Sequence, residues 1–190
     1  MTDLTDLETR LSVVAPAAAP PVLPDADVGY AVHETPIGSL LLATAAGRVV
    51  ASSYDDEETV TRRLARAISP RVLRQPKAVD EVRRQLDEYL AGRRQRFELE
   101  VDLALATAFQ RQVLTGLASY VPFGRTTTYG ALAGEIHRPT AARAIGHALG
   151  ANPLCIVLPC HRVVGASGAL TGYAGGIEAK RFLLELEQRG

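Results

Sequence analysis

Residues 129–149, YGALAGEIHRPTAARAIGHAL, read as helix, break, helix. Residues 129–136 carry a short helical pattern. His137, Arg138 and Pro139 interrupt it, because proline cannot continue a helix and restricts the residue before it. From Thr140 to Leu149, Ala141, Ala144, Ile145, Ala148 and Leu149 follow the i, i+3, i+4, i+7, i+8 spacing of a core face. The opposite face offers Ala142, Arg143, Gly146 and His147, small except for one long cation. Two helices joined by a tight break outline a helix-turn-helix. Small residues would let this face approach a nucleic-acid backbone or groove closely, with Arg143 long enough to enter a base stack. The same spacing also suits an alanine-rich packing helix with a solvated arginine.

Upstream, Phe109, Val113, Leu117 and Tyr120 predict a further helix, closed by a turn at Pro122, Phe123 and Gly124. The first half reads differently. Residues 30–35 and 39–44 predict strands around a turn at 36–38, and 48–54 predict a third. Asp55 and Asp56 open a helix with Glu57 and Glu58 in its first turn, running to about residue 68. A second helix over 78–91 stops at Gly92, and 97–103 predict another strand. The fold class is α/β: a small α/β unit over 29–104, then a mainly helical unit over 105–190. Residues 1–28, rich in Ala and Pro, offer no face to bury and are expected to form a disordered arm, with a short helix over 3–14 an option.

Of 190 residues, 47% are apolar, but no run of 18 apolar residues exists to span a membrane. Residues 1–10 are polar and lack a signal-peptide layout, which places the chain in the cytoplasm. Net charge is zero but uneven. Residues 1–61 hold ten acidic and two basic side chains, whereas 62–96 hold four acidic and eleven basic. That basic stretch suits either solvated helices or a weak electrostatic guide for DNA.

Two cysteines, Cys155 and Cys160, flank an apolar run that predicts a strand. Along a strand they would lie roughly 16 Å apart, on opposite faces, beyond the about 4.4–6.8 Å that a disulfide spans. A disulfide and a shared metal site are therefore rejected, and the four histidines are scattered, so no metal is expected. Free thiols suit a reducing compartment.

The run Leu158, Pro159, Cys160, His161, Arg162, Val163 carries the chemistry. Pro159 suits the first turn of a helical segment, which would put Cys160 at a helical N-terminus whose free N–H groups favour a thiolate. Neighbouring residues on a helix do not face each other, so a water is expected to link Cys160 to His161. A lone cysteine also fits as a small buried hydrophobe. Cys155 suits that reading, while the setting of Cys160 favours a nucleophile. Gly172, Tyr173, Ala174, Gly175 and Gly176 form either a ligand-approaching loop or a plain surface turn. A last helix over 177–188 is expected to bury Ala179, Phe182, Leu183 and Leu186. Glu187, at the edge of that stripe, either orients His161 or is solvated.

These residues in this order resemble the O6-alkylguanine-DNA alkyltransferases, or methylated-DNA–protein-cysteine methyltransferases. The resemblance is dense over 109–187. It rests on Pro122, Gly124, Tyr129, the 142–146 run ARAIG, Asn152 and Pro153, residues 159–163 and 172–176, and Leu183, Leu184 and Glu187. Residues 29–104 resemble the family's variable N-terminal domain only in layout. The resemblance implies a ribonuclease H-like N-terminal domain and a winged-helix-like C-terminal one. It implies single-turnover repair of O6-alkylguanine, with O4-alkylthymine a second candidate substrate, in double-stranded DNA bound through the minor groove. Cys160 would take the alkyl group, His161 would act as base through water, Glu187 would hold the imidazole and Asn152 would brace the turn. Tyr129 and Tyr173 would contact the flipped base, and the backbone of Cys160, Val163 and Ala174 would bond its edges. Arg143 would fill the gap left in the duplex, and Thr128, Ala142 and Gly146 would meet DNA. No cofactor is implied, and a monomer is expected, with cooperative binding on DNA left open.

Some positions depart from the pattern. Ala174 stands where some relatives carry serine, Leu114 replaces a common tryptophan, and Cys155, at a position often Pro or Ser, is expected to be inert. The zinc site of some relatives and a Cys-rich phosphotriester-repair domain are missing from the pattern. Three alternatives remain: a non-catalytic lesion binder, in which the cysteine is usually replaced; a helix-turn-helix regulator; and a thiol hydrolase.

Overall fold

The structure, a computed structural model, describes residues 27–189. Most of the expected arm, with its optional helix, lies outside the described residues. Val28 corrects the arm's boundary: it opens the first strand and is fully buried.

Strands β1 (Val28–Thr35), β2 (Gly38–Ala45) and β3 (Arg48–Ser53) form an antiparallel meander. A three-residue strand, β4 (Val72–Arg74), adds to β1 in parallel, giving the order β3-β2-β1-β4. The sequence reading missed β4 because its three residues, two half-buried and one exposed, show no alternation. Along β2 the side chains alternate between two cores. Leu40 and Leu42 face the larger one, and Leu41 and Ala43 the smaller. Helix α1 (Glu57–Ala67) starts where the Asp56 carboxylate accepts from Thr59 N at 2.8 Å, and it lays Val60 and Leu64 on the smaller core. Helix α2 (Asp80–Leu90), after a 3-10 turn at Pro76–Val79, packs Val82, Leu86 and Tyr89 on the opposite face.

Residues 97–103 do not form the expected strand. They run extended, with a single bridge between Val101 and Val49. The buried Gln85 side chain explains the difference, because it takes the place of a partner strand. Its Oε1 accepts from Glu98 N at 2.7 Å and its Nε2 donates to Glu98 O at 3.1 Å.

The second half is helical and shares the larger core with the sheet. Helix α3 (Ala108–Tyr120) begins in a capping box formed by Thr107 and Gln110. It buries Val113, Leu114 and Leu117, whereas Tyr120, on the expected apolar face, is exposed. Truncating fully buried Leu114 to alanine would cost about 2–5 kcal/mol. Gly116 lets α3 close on its neighbour, since a Cβ there would lie 2.5 Å from Ile136 Cγ2. The strand β5 (Thr127–Thr128) leads into α4 (Tyr129–Glu135), followed by α5 (Ala142–Gly150). Ile145, Ala148 and Leu149 face inward as expected, but Ala144 is exposed, which narrows the predicted core face. A 3-10 turn, Cys160–Arg162, precedes β6 (Val163–Val164), which pairs in parallel with β5. Helix α6 (Gly176–Arg189) closes the described chain.

The buried face of α6 is rotated from expectation. Ala179, Lys180, Leu183, Leu184 and Glu187 point inward, while Phe182 is exposed and Leu186 half-buried. Hydropathy misplaces this face because two of its buried residues are charged. The basic stretch in the middle of the chain is largely paired: Arg62 with Glu58, Arg83 with Asp80, Arg84 with Glu81, and Arg94 with Glu88. No helix among the described residues is long and apolar enough to cross a membrane.

Candidate active site

The outer edge of β3 carries the segment that leads to Cys160. Ser52 N donates to Pro153 O at 2.8 Å, Cys155 N donates to Ser52 O at 2.7 Å, and the Ser52 hydroxyl donates to Cys155 O at 2.9 Å. Beyond this anchor the chain turns rather than extending. Ile156 has φ +71°, Val157 N reaches Cys155 O at 2.9 Å, and Leu158 N reaches Leu154 O at 2.8 Å. A β-branched residue at positive φ is strained, and here it is fully enclosed. The strand predicted between the two cysteines is therefore wrong. The turn folds Cys155 back toward Cys160; its thiol donates to Asn152 O at 3.5 Å, and both cysteines remain free thiols.

Asn152 ties this turn together. Its Oδ1 accepts from Leu154 N at 2.9 Å, and its Nδ2 donates to Leu158 O at 3.0 Å and to Cys160 Sγ at 3.2 Å. The neighbouring Cys155 thiol holds the Cys160 thiol below its ordinary pKa against the cost of burial, helped by Asn152 and the charge of Lys180. Cys155 itself is pushed well up by Cys160 and by burial. The predicted helical N-terminus contributes little. Cys160 opens only a three-residue turn, and its own N–H is taken by Leu158 O at 2.8 Å.

Behind the cysteine lies a buried polar cluster. His161 Nε2 and Glu187 Oε1 are 2.7 Å apart, with both side chains enclosed. Arg162 Nε donates to Glu187 Oε2 at 2.9 Å, its Nη1 donates to Val121 O at 2.9 Å, and its guanidinium lies 5.8 Å from the Phe123 ring centre. Gly124 N donates to Glu187 Oε2 at 3.0 Å, and the Tyr89 hydroxyl donates to Oε1. Burial would raise the Glu187 pKa, but these partners, His161 foremost, hold it down at about 2. Burial pushes His161 below its usual value despite Glu187. An ionised Glu187 only accepts, so His161 Nε2 carries the hydrogen and Nδ1 keeps its lone pair. Nδ1 is buried without a protein hydrogen-bond partner, and no hydrogen bond joins Cys160 to His161 among the described residues. Lys180, also buried, donates to Val163 O at 2.6 Å and Thr171 O at 3.1 Å. Two buried cations against one carboxylate leave one positive charge over, which a Cys160 thiolate would balance.

Cys160 opens onto a cleft of about 390 Å3, lined by Tyr129, Gly146, Leu149, Gly150, Gly172, Tyr173 and Ala174. That volume suits a small-molecule site. The Tyr129 hydroxyl hydrogen-bonds Thr171 Oγ1 at 2.7 Å. Tyr173 meets Tyr54 edge to face at 5.7 Å, and Tyr54 lies so close to Gly175 that a Cβ there would be 2.5 Å from its ring. A shallow groove of about 680 Å3 continues from the cleft along Ala142, Arg143, Gly146 and His147. Arg143 is exposed, with no hydrogen bond or ion pair among the described residues.

The structure thus brings Cys160, His161, Asn152 and Glu187 together, and places Tyr129, Tyr173, Ala174 and Gly146 around the cleft. Val163 lies beneath it, fully buried, with its carbonyl engaged by Lys180. Thr128 caps α4, its hydroxyl accepting from Ala131 N at 3.1 Å. Sequence reasoning missed Tyr89, Lys180, Ser52, Tyr54 and Thr171. Lys180 was within reach, because it lies seven residues before Glu187 and so shares its helix face. The other four carry no local pattern.

The family model "6-O-methylguanine DNA methyltransferase, DNA binding domain" matches residues 108–189. The model for the ribonuclease-like domain of the same family matches residues 28–103. A methylated-DNA–protein-cysteine methyltransferase of Mycobacterium bovis is 43% identical over 85% of this chain and 93% of its own. An inducible one of Bacillus subtilis is 47% identical over 55% of this chain and 58% of its own. Among solved structures, Mycobacterium tuberculosis OGT in complex with DNA superposes with a TM-score of 0.74 at 40% identity, covering 85% of this chain and 93% of that one. The O6-methylguanine-DNA methyltransferase of Pyrococcus kodakaraensis gives 0.58 at 27% identity, covering 84% and 98%.

Proposed function

This chain belongs to the 6-O-methylguanine DNA methyltransferase family, and from that premise we propose that Cys160 is the residue that accepts the alkyl group. The chain is a DNA-binding repair protein that transfers an alkyl group from DNA to a cysteine. The observation that carries the choice of Cys160 is its position. Its sulfur opens onto the cleft under a donor from Asn152, beside the buried His161–Glu187 pair. Cys155 does not line the cleft.

Helix α5 enters the minor groove with its small face, and Arg143 occupies the space of an extruded nucleotide. The alkylated guanine enters the cleft between Tyr129 and the Gly172–Ala174 backbone. A water on His161 Nδ1 takes the Cys160 proton and passes it to that nitrogen, while Glu187 holds the ring through Nε2. The thiolate attacks the sp3 carbon, the C–O6 bond breaks, and its electron pair leaves with the guanine. Tyr129, held by Thr171, steadies the leaving base. The product is a thioether, which water does not cleave, so each chain acts once. O4-alkylthymine fits the same scheme as a second substrate.

We assign residues 28–104 as a scaffold domain and 105–190 as the domain that binds DNA and carries the acceptor. The protein acts as a monomer in the cytoplasm, where its two free thiols stay reduced. Intact mass after mixing with a duplex carrying one O6-methylguanine tests the reading. One methyl per chain, mapped to Cys160 and lost in Cys160→Ser, is expected. DNA binding without mass gain would leave a lesion sensor in place of a repair protein.

A further inference from the structure

Tyr89 belongs to α2, in the sheet-bearing half, yet its hydroxyl ends inside the polar cluster behind Cys160. It donates to Glu187 Oε1 and lies 3.4 Å from His161 Nε2. Its ring is enclosed, 5.0 Å from Phe97 and edge-on to Phe123 at 6.1 Å. A phenylalanine would fill the same space between those rings. The hydroxyl is therefore surplus to packing, and its burial is favourable only because the carboxylate accepts it. Glu187 Oε1 receives three donors: His161, Tyr89 and Arg162. What Tyr89 draws from that oxygen is no longer available to the imidazole.

Resting on the assignment of His161 and Glu187 to the relay, we propose that Tyr89 is a positioning residue of the transfer reaction. Its hydroxyl fixes which carboxylate oxygen faces His161 and limits how strongly that oxygen stabilises the protonated ring. The ionisable groups facing His161 are Glu187 and Lys180 from α6, Cys160 and Arg162 from its own turn, Tyr173 from the glycine loop, and Tyr89. Of these, Tyr89 alone comes from the first half of the chain. The scaffold thereby sets the proton affinity of the base that it supports.

The sign follows from charge. Without the hydroxyl, Glu187 offers its full charge to His161, the ring protonates more readily, and its titration midpoint rises. The test uses the full chain as wild type, Tyr89→Phe and Phe97→Leu. The last loosens the same ring stack without touching the hydroxyl. The His161 midpoint is read from its imidazole NMR signals, and single-turnover methyl transfer is followed across pH by intact mass. Tyr89→Phe is expected to raise the midpoint by about half a pH unit or more. The low-pH limb of the transfer profile should move with it, still at one methyl per chain. Phe97→Leu should lower Tm and leave the midpoint in place. A Tyr89→Phe chain with lower Tm but an unmoved midpoint, or equal shifts in both variants, would overturn the proposal. A wild-type chain that takes no methyl would sink the repair reading instead, with the NMR comparison still readable.

Discussion

The wall behind Cys160 and the outer face of α5 meet at one cleft and are built in opposite ways. The wall is charged and enclosed, and its carboxylate is crowded with donors: Glu187 alone receives hydrogen bonds from His161, Tyr89, Arg162 and Gly124. The α5 face is small and open, and its one cation, Arg143, is exposed with no partner among the described residues. A reacting sulfur needs donors and charges already in place, because reorganising them during the reaction would slow it. A surface that grips a deformable duplex needs room for the backbone, and a side chain not already committed elsewhere. Preorganisation and availability are thus separated by a few residues of chain.

The comparison predicts that changes in the wall cost both folding and chemistry, while changes in the face cost chemistry alone. The largest effect is expected for Glu187→Gln. It leaves the buried Arg162 without its counter-charge, so urea denaturation should show a loss of about 3–5 kcal/mol. Single-turnover transfer should slow by about 100-fold or more. A loss within the error of the measurement would break the comparison. Next comes Arg143→Ala. Transfer from duplex DNA should slow by about tenfold or more, since extrusion of a base costs a few kcal/mol. Its Tm, and its slow reaction with free O6-methylguanine base, should not change.

A smaller shift is expected inside the wall for Cys155→Ala. Without the Cys155 thiol beside it, the thiolate absorbance of Cys160 should titrate about half to one pH unit higher. Cys155→Ser, which keeps a donor, should restore most of the difference. The mildest effect near neutrality is on stability against pH. Burial holds His161 below 6.5, so as pH falls under that value the unfolded chain takes up a proton that the folded chain resists, and stability declines. Glu187, lowered from 4.5 to about 2, contributes fully above 4.5 and loses its contribution as pH falls toward 2. Arg143→Ala should trace the wild-type curve throughout, and a divergence would mean that the face is tied to the wall after all.

How much of this was legible in the sequence follows the same division. The α5 face could be read directly, because helical spacing and residue size decide it, and only Ala144 came out differently. The meander of β1 to β3 was legible from alternation. The wall was legible in its members but not in its geometry. Periodicity took the residues between Cys155 and Cys160 for a strand, since β-branched and apolar residues favour one; Ile156 instead accepts a left-handed turn that Asn152 and Ser52 hold closed. The buried side of α6 was misread because hydropathy places Lys180 and Glu187 outside, and only their mutual compensation with Arg162 and the backbone allows them in. Residues 97–103 had the composition of a strand, but Gln85 supplied the hydrogen bonds that a neighbouring strand would have made.

The pairing of Ser52 with the segment before Cys160 bears on how the molecule fails. An open sheet edge is a template for a strand from another chain. Here the outer side of β3 is covered by the residues around Val101 and Leu154, while β4 ends the other side after three residues. The loop that presents Cys160 is therefore also a cover over an edge of the sheet. Loosening that loop would open the edge to pairing with another chain.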